Sequence, residues 1–217
     1  MAVLTLASAS PRRKELLERM GLQLRVLPAP IDEEPLPGET AVAYVKRLGR
    51  DKATATVRRI AAALGNDPRA VVDNPPRWIL GADTVVTIDD LLLGKPHDLA
   101  EARKMLERLQ GREHTVVTGF AILDLERDKE GIQAVSTRVR FKPMSRSEID
   151  AYLASGESLD KAGGYAIQGI GGYMVQEIAG SYTNVVGLPV AQVALMLEEM
   201  GAWDLLPYAP TPGRQAP

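Results

Sequence analysis

Two serines and two arginines near the N-terminus have the types and spacing to hold an anion. They are Ser8, Ser10, Arg12 and Arg13, arranged around Pro11. Ser10 suits the N-cap of a helix and Pro11 its first position. Free N–H groups at a helix start favour an anion, and arginine adds paired hydrogen bonds to phosphate. The segment therefore indicates a phosphate site, with an ordinary helix cap and solvated basic residues as the alternative.

A carboxylate follows the apolar stretch Trp78 to Leu80, which predicts a buried strand ending at Gly81. This residue, Asp83, precedes Thr84 and stands where α/β proteins place functional groups, at the end of a strand. Aspartate binds Mg²⁺ or orients a water for attack. The alternative is a turn aspartate that caps its own backbone.

Three further charged residues complete a set suited to polyphosphate. Glu33 lies in an acidic turn, Lys52 on the polar side of a predicted helix, and Lys95 between Gly94 and Pro96. Each alone is explained by simple solvation. With Asp83 they offer two carboxylates and two ammonium groups, which is what a metal-bound polyphosphate requires.

A glycine-rich segment from Asp160 to Gly169 suggests a site for a flat ligand. Glycines allow close approach of the backbone. Gln168 has the paired donor and acceptor needed to read the edge of a base. The alternative is a glycine-rich hairpin.

Composition excludes several other classes. Of 217 residues, 26 are Lys or Arg and 28 Asp or Glu, giving a net charge of −2, and only 5% are aromatic. This balance opposes nucleic-acid binding, RNA binding included. With no cysteine and two histidines, disulfides, thiolate metal sites and all-histidine sites are excluded. No apolar run reaches the ~20 residues of a membrane span, and we expect a cytoplasmic protein without a membrane partner.

The elements that must position these groups alternate irregularly. Helices are predicted after Ser10, from Thr40 to Leu64, from Asp98 to Gly111, after Ser145 and from Leu188 to Met200. Strands are predicted at Val3–Ala7, Gln23–Leu27, Trp78–Leu80, His114–Leu125, Ala134–Phe141 and Tyr173–Ile178. Gly65 to Arg77 reads as an exposed loop. The pattern predicts an α/β fold with a mixed sheet and flanking helices, as one domain over 1–206 with a flexible, Pro-rich tail over 207–217.

Taken in order, these motifs resemble the Maf family of nucleoside triphosphate pyrophosphatases. The matching blocks are Leu6-Ala7-Ser8-x-Ser10-Pro11-Arg12-Arg13-x-Glu15-Leu16-Leu17, Glu33, Lys52-Ala53, Gly81-Ala82-Asp83-Thr84, Gly94-Lys95-Pro96, Asp160-Lys161-Ala162-Gly163 and Asn184-x-x-Gly187-Leu188-Pro189. They extend from about residue 4 to residue 195. No block is decisive alone, but their joint occurrence in order is highly specific.

The resemblance implies a two-lobed fold shared with inosine triphosphate pyrophosphatases, a homodimer, and hydrolysis of a nucleoside triphosphate to the monophosphate and pyrophosphate with Mg²⁺ or Mn²⁺. Arg12, Thr84 and Ile167-Gln168-Gly169 resemble the branch acting on dTTP and UTP, expected to be a house-cleaning enzyme for pyrimidine or modified nucleotides. Gly49 and Gly164 depart from the family pattern, where alanine is common.

The resemblance also suggests roles for the residues. Asp83 is the expected base that activates water and, with Glu33, the expected metal ligand. Lys52 and Lys95, with Arg13, would stabilise charge on the phosphates; the expected substrate-binding residues are Ser8, Ser10, Arg12, Arg13, Thr84 and Gln168. The alternative is a nucleotide-binding regulator of septum formation without turnover, against which the intact Asp83 and Glu33 argue.

Overall fold

A computed structural model describes residues 2–66 and 76–208, which form a seven-stranded sheet. The strands are β1 (Leu4–Leu6), β2 (Leu24–Val26), β3 (Trp78–Ile88), β4 (Leu91–Leu93), β5 (Glu113–Asp124), β6 (Lys129–Phe141) and β7 (Val175–Ala179). The strand order is β2-β1-β3-β5-β6-β7, with β4 paired to β3. β1 pairs in parallel with β2 and β3, and the other pairs are antiparallel. The predicted mixed sheet is confirmed.

Helices flank this sheet, as predicted. They are α1 (Pro11–Arg19), α2 (Ala41–Asn66), α3 (Leu99–Leu109), α4 (Arg146–Ala154), α5 (Tyr182–Val186) and α6 (Val190–Glu199). The predicted N-caps form: the side chains of Ser10, Asp98 and Ser145 each accept a backbone N–H three residues ahead. These caps satisfy donors that a helix start leaves unpaired, so sequence alone locates the starts of α1, α3 and α4.

The prediction that the strand after Trp78 ends at Gly81 is wrong. β3 continues to Ile88 because residues 78–87 are paired with β5 along one edge. Its other edge pairs with β1 over residues 78–80 and with β4 over residues 86–88. No strand in the described ranges covers residues 81–85 on that edge. Asp83 therefore lies in the middle of a strand, beside a gap in the sheet.

Three glycines allow α2 to pack directly on the sheet. A Cβ atom on Gly81 would lie 2.2 Å from the carbonyl oxygen of Gly49, and one on Gly119 would lie 2.3 Å from the backbone of Val45. Gly49 itself has Gly119 3.1 Å from its Cβ position, which accounts for a glycine in the middle of a helix. The close packing brings Lys52 over β3.

Two hydrophobic clusters lie along the long strands. On β3, Trp78, Leu80 and Ala82 belong to the first cluster, and Val86 and Ile88 to the second. The first also contains apolar residues of β1, α1 and α6, and the second those of α3, α4 and β6. Alternation along a strand makes Thr84 the residue between the two clusters on that face.

Other differences from the predictions concern short or extended elements. β4 and α5 were not predicted, and β6 begins at Lys129 rather than Ala134. The predicted loop at 65–77 and tail at 207–217 fall largely on residues 67–75 and 209–217, which lie outside the described residues. Within the described ranges, no helix combines the length and apolar character needed to cross a membrane.

Candidate active site

A cavity of about 400 Å³ opens at the gap beside β3. It is lined by every predicted site residue: Ser8, Ser10, Arg12, Arg13, Glu33, Lys52, Asp83, Thr84, Lys95 and Gln168. Ser8 follows the carboxyl end of β1, which pairs in parallel with its neighbours, as is usual for ligand sites in such sheets. Because the cavity lies at a strand edge, the side chains of Asp83 and Thr84, which leave opposite faces of β3, both reach it.

One lysine joins the two predicted acidic residues. Lys52 Nζ lies 2.6 Å from Asp83 Oδ1 and 2.9 Å from Glu33 Oε1. Asp83 is buried, whereas the Glu33 side chain is half exposed. The Tyr44 hydroxyl donates to the backbone oxygen of Glu33 at 2.8 Å and ties this acidic turn to α2. Burial raises the pKa of Tyr44 to about 12, helped by the charges of Asp83 and Glu33, so the hydroxyl keeps its proton and remains a donor.

The two carboxylates fit a hard divalent cation held jointly by protein and substrate. Both contact the Lys52 ammonium and line the same cavity, so the two carboxylates lie close together. No group of three or more His, Cys, Asp or Glu residues in the described ranges is arranged to hold a metal. Mg²⁺ commonly takes one or two carboxylates and completes its shell with phosphate oxygens and waters. Asp83 and Glu33 match that pattern.

Arg13 is buried and bonded to the protein on most sides. Its Nε donates to the carbonyl of Gly187 at 2.9 Å. One terminal nitrogen donates to Ser8 Oγ at 3.0 Å and to the carbonyl of Ala82 at 2.8 Å, and the other donates to Thr84 Oγ1 at 3.0 Å. These contacts take four of the five N–H groups of the guanidinium. Arg13 thus bridges the gap in the sheet and keeps one N–H for a ligand.

The surroundings of Arg13 contain effects that disfavour its charged form and effects that favour it. Burial lowers its pKa, and the nearby carboxylate of Asp83 acts in the opposite direction. Guanidinium nevertheless stays charged in proteins. A positive charge is therefore fixed in the wall of the cavity, held by neutral acceptors and close to an acidic residue.

The Thr84 hydroxyl forms hydrogen bonds with other residues of the protein. Besides accepting from Arg13, Thr84 Oγ1 lies 2.9 Å from Thr118 Oγ1 and 3.2 Å from the carbonyl oxygen of Gly187. Thr118 in turn donates to the backbone oxygen of the fully buried Asn184. This network connects β3, β5 and α5 behind the cavity. Thr84 therefore shapes the wall and holds Arg13.

The opposite rim carries charges that were not among the predicted site residues. Asp160 and Lys161 line the cavity and form an ion pair with each other. Arg12 lies 3.5 Å from Asp160. Lys95 is exposed and has no ion pair within the described ranges. The N–H of Gly163 donates to the carbonyl of Gly94, the neighbour of Lys95, at 3.0 Å, which ties that turn to the glycine-rich segment.

A buried histidine contacts a residue that lines the cavity, and sequence reasoning missed it. His114 Nε2 lies 2.8 Å from the hydroxyl of Tyr165, which lines the cavity. Both rings also contact Phe141 edge-on. Burial lowers the pKa of His114 to about 4, so the ring is neutral near pH 7. A polar residue beginning an apolar strand was the available signal, but its partner lies 51 residues away.

Comparison with known proteins assigns the family. A family model described as Maf-like protein matches residues 3–200. A dTTP/UTP pyrophosphatase of Citrifermentans bemidjiense is 51% identical over 199 residues, covering 92% of this chain and 96% of the relative. Proteins of the same name from Geobacter metallireducens (48%; 92% and 96% covered) and Chromobacterium violaceum (46%; 90% and 93% covered) are also similar. With its motifs assembled in one cavity and matches along nearly its whole length, the chain belongs to the Maf family.

Proposed function

We propose that this protein hydrolyses dTTP and UTP to the nucleoside monophosphate and pyrophosphate. The observation that carries the proposal is the Lys52–Asp83–Glu33 cluster facing the Ser10 helix start in one cavity. That arrangement combines groups for phosphate, for a divalent cation and for activating water. Relatives at 46–51% identity named dTTP/UTP pyrophosphatase support the substrate class.

The triphosphate would lie along the cationic side of the cavity. The N-terminus of α1, with Ser8 and Ser10, offers hydroxyl and N–H donors. Arg12 and Lys95 would supply mobile charge, and Arg13 a fixed one. A bound Mg²⁺ or Mn²⁺, held by Asp83 and Glu33, would neutralise phosphate charge and make pyrophosphate a better leaving group.

Asp83 would act as the base. Lys52 contacts its Oδ1, which fixes the carboxylate and leaves Oδ2 for a water. The water oxygen would bond to the α-phosphorus while the bond from that phosphorus to the bridging oxygen breaks. The water's proton passes to Asp83, and the electron pair of the broken bond leaves with pyrophosphate.

Gln168 would select the base. Its side chain is exposed, lines the cavity, and has no hydrogen bond to another residue in the described ranges. Its acceptor and donors match the carbonyl and N3–H edge shared by uracil and thymine. Cytosine presents the opposite pattern at positions 3 and 4, so CTP should be a poor substrate, because a site built on hydrogen bonds rejects analogues that leave it unpaired.

A triphosphate panel tests the proposal. Purified protein is incubated with dTTP, UTP, CTP or 7-methyl-GTP, with Mg²⁺, with Mn²⁺ or with chelator, and pyrophosphate and orthophosphate are scored separately. We expect pyrophosphate from dTTP and UTP, and only with metal. Orthophosphate with the diphosphate would overturn the reaction, and tight binding without any product would favour the regulator. Equal rates with CTP would overturn the pyrimidine selectivity.

A homodimer and a cytoplasmic location stay predictions that rest on the sequence and its resemblance to the family. Light scattering coupled to size-exclusion chromatography gives the mass in solution, to be compared with the 23.5 kDa of one chain. Imaging of a tagged protein in its native host tests the location.

A further inference from the structure

The turn that carries Gln168 is held by a carboxylate outside the predicted site. We define the Gln168 turn as residues 166–171. Glu157, just beyond the end of α4, accepts the backbone N–H of Ile170 through Oε1 at 3.1 Å and that of Gly171 through Oε2 at 3.0 Å. Each carboxylate oxygen thus holds one of two consecutive amides. Hydrogen bonds to a charged acceptor are stronger than neutral ones.

A tyrosine from the same helix holds the other end of the turn. The buried hydroxyl of Tyr152 accepts the backbone N–H of Ala166 at 3.2 Å. Burial raises the pKa of Tyr152, and the negative charge of Glu157 raises it further. The hydroxyl therefore keeps its proton while its oxygen accepts from Ala166. The end of α4 and the residues after it hold the turn at both ends.

Glycine at position 169 makes room for this carboxylate. A Cβ atom there would lie 1.6 Å from Glu157 Oε1, so any side chain would displace the acid. Gln168, between the two anchors, has no hydrogen bond of its own to the rest of the described chain. Its position thus depends on the backbone on either side.

We propose that Glu157 is a positioning residue for base recognition: it fixes the Gln168 turn so that the Gln168 amide faces the cavity. As far as base selection is concerned, this inference rests on the proposed function. Glu157 does not line the cavity, so it acts on substrate only through the turn.

Kinetics of four variants test the connection. Glu157→Ala removes both acceptors and should raise KM for UTP about ten-fold while kcat changes less than about three-fold, as expected for lost hydrogen bonds to a charged group. The UTP-over-CTP ratio of kcat/KM should fall to that of Gln168→Ala. Glu157→Gln keeps one acceptor and should lie between wild type and Glu157→Ala. The double variant Glu157→Ala/Gln168→Ala should be no worse than Gln168→Ala, since both changes remove one interaction.

Hydrogen exchange gives a readout independent of turnover. In Glu157→Ala, the amides of Ile170 and Gly171 should exchange about ten-fold faster, because their acceptors are gone. Glu113→Ala, which removes a carboxylate paired with arginines on the sheet, is the matched control and should leave these amides unchanged. If Glu157→Ala does not fold, Glu157→Gln should show a smaller increase at the same amides.

The inference is overturned by unchanged exchange at these amides, by equal losses for UTP and CTP, or by additive effects in the double variant. If wild type releases no pyrophosphate from UTP, the proposed function fails. Exchange at Ile170 and Gly171 would then still decide whether Glu157 holds the turn.

Discussion

The two sides of the cavity are built in different ways. On the side of β3, charged side chains bond to one another and to strands: Lys52 joins Asp83 and Glu33, and Arg13 bridges the gap in the sheet. On the opposite side, Gln168 is exposed and only its neighbouring backbone is held. The first side depends on contacts between charged side chains, and the second on anchors to the backbone of a turn.

This difference separates the two tasks of the proposed reaction. Asp83 and Lys52, which would serve the reaction common to all nucleotides, lie on β3 and α2, where the packing of Gly81 against Gly49 leaves little freedom. Gln168, which would distinguish the bases, lies on a turn, and its side chain has no hydrogen bond to another residue in the described ranges. Changes on the first side should therefore affect rate and stability, and changes on the second should affect selectivity.

The largest effect is expected from Asp83→Asn. An amide keeps the size of the side chain but does not accept the water's proton, so kcat should fall by the ~10²–10⁴-fold typical of a lost general base. Glu33 remains as a carboxylate partner of Lys52, so the fold should tolerate the change. Steady-state kinetics with UTP and thermal unfolding measure both. Asp150→Asn, on α4 and outside the cavity lining, is the control; near-normal turnover in Asp83→Asn would place the base elsewhere.

The next largest effect is expected in the pH dependence of the free energy of unfolding. Folding lowers the pKa of His114 from 6.5 to about 4, because burial disfavours its charged form. The unfolded chain therefore binds this proton more readily, and the contribution to stability is complete above about pH 6.5 and is lost as pH falls towards 4. The loss should reach about 3 kcal/mol. Urea unfolding between pH 7 and 4 measures it.

His114→Gln is the matched variant, since it keeps a hydrogen-bonding group near Tyr165 but does not titrate. Its unfolding free energy should fall less steeply across the same pH window. Equal slopes for the two proteins would show that other groups cause the acid sensitivity.

A smaller effect is expected from the packing of α2 on β3. In Gly81→Ala the new Cβ would lie 2.2 Å from the Gly49 oxygen, so the helix must move. Overpacking of this kind costs ~1–3 kcal/mol. Displacing α2 would also lengthen the 2.6 Å contact between Lys52 and Asp83 and lower kcat. Denaturant unfolding and UTP kinetics are the measurements.

Gly49→Ala is the control for this packing. Its Cβ would meet Gly119 at 3.1 Å, a tight contact, while alanine gains ~1 kcal/mol of helix propensity over glycine. The two effects oppose each other, so the net change should be small. A loss as large as that of Gly81→Ala would mean that the helix cannot shift by the few tenths of an ångström required.

The substitution with the smallest expected effect on folding stability should act most selectively on the choice between bases. Gln168→Ala removes a side chain that is exposed, so stability should be unchanged. The UTP-over-CTP ratio should fall about ten-fold, the equivalent of one hydrogen bond. Competition between UTP and CTP in one reaction gives this ratio directly. A ratio that stays at the wild-type value would remove Gln168 from base selection and weaken the contrast between the two sides.

Local signals predicted much of this molecule from sequence. The caps at Ser10, Asp98 and Ser145 act within three residues, and the structure has helices at each. The extension of β3 was missed because Gly81-Ala82-Asp83 interrupts its apolar pattern, and over residues 81–85 β5 is its one paired strand in the described ranges. Likewise, the reason for a glycine at position 49, where alanine is common in the family, was not predictable because its contact, Gly119, lies on a distant strand.

The residues of the candidate site were predicted from their types, but the contacts that surround each of them were not. The predicted residues all line one cavity, while their chemical roles stay predictions. Arg13 was predicted to contact the phosphates, with a solvated cation as the alternative, and its burial was not predicted. It is buried because its acceptors, the carbonyls of Ala82 and Gly187, come from distant parts of the chain. The types of these residues do not indicate that their backbone carbonyls accept hydrogen bonds from Arg13.

The long strands have a mechanical consequence. β3 and β5 run through both hydrophobic clusters and are paired without interruption over ten positions, from Trp78 with Asp124 to Thr87 with Thr115. Rotating one cluster relative to the other would break hydrogen bonds in this ladder, so the paired strands β3 and β5 oppose hinge motion beneath the cavity. The paired strands β3 and β5 therefore form a rigid base for the cavity. A ligand that needs a wider or narrower opening must obtain it from the rim, by bending the turns that carry Lys95 and Gln168.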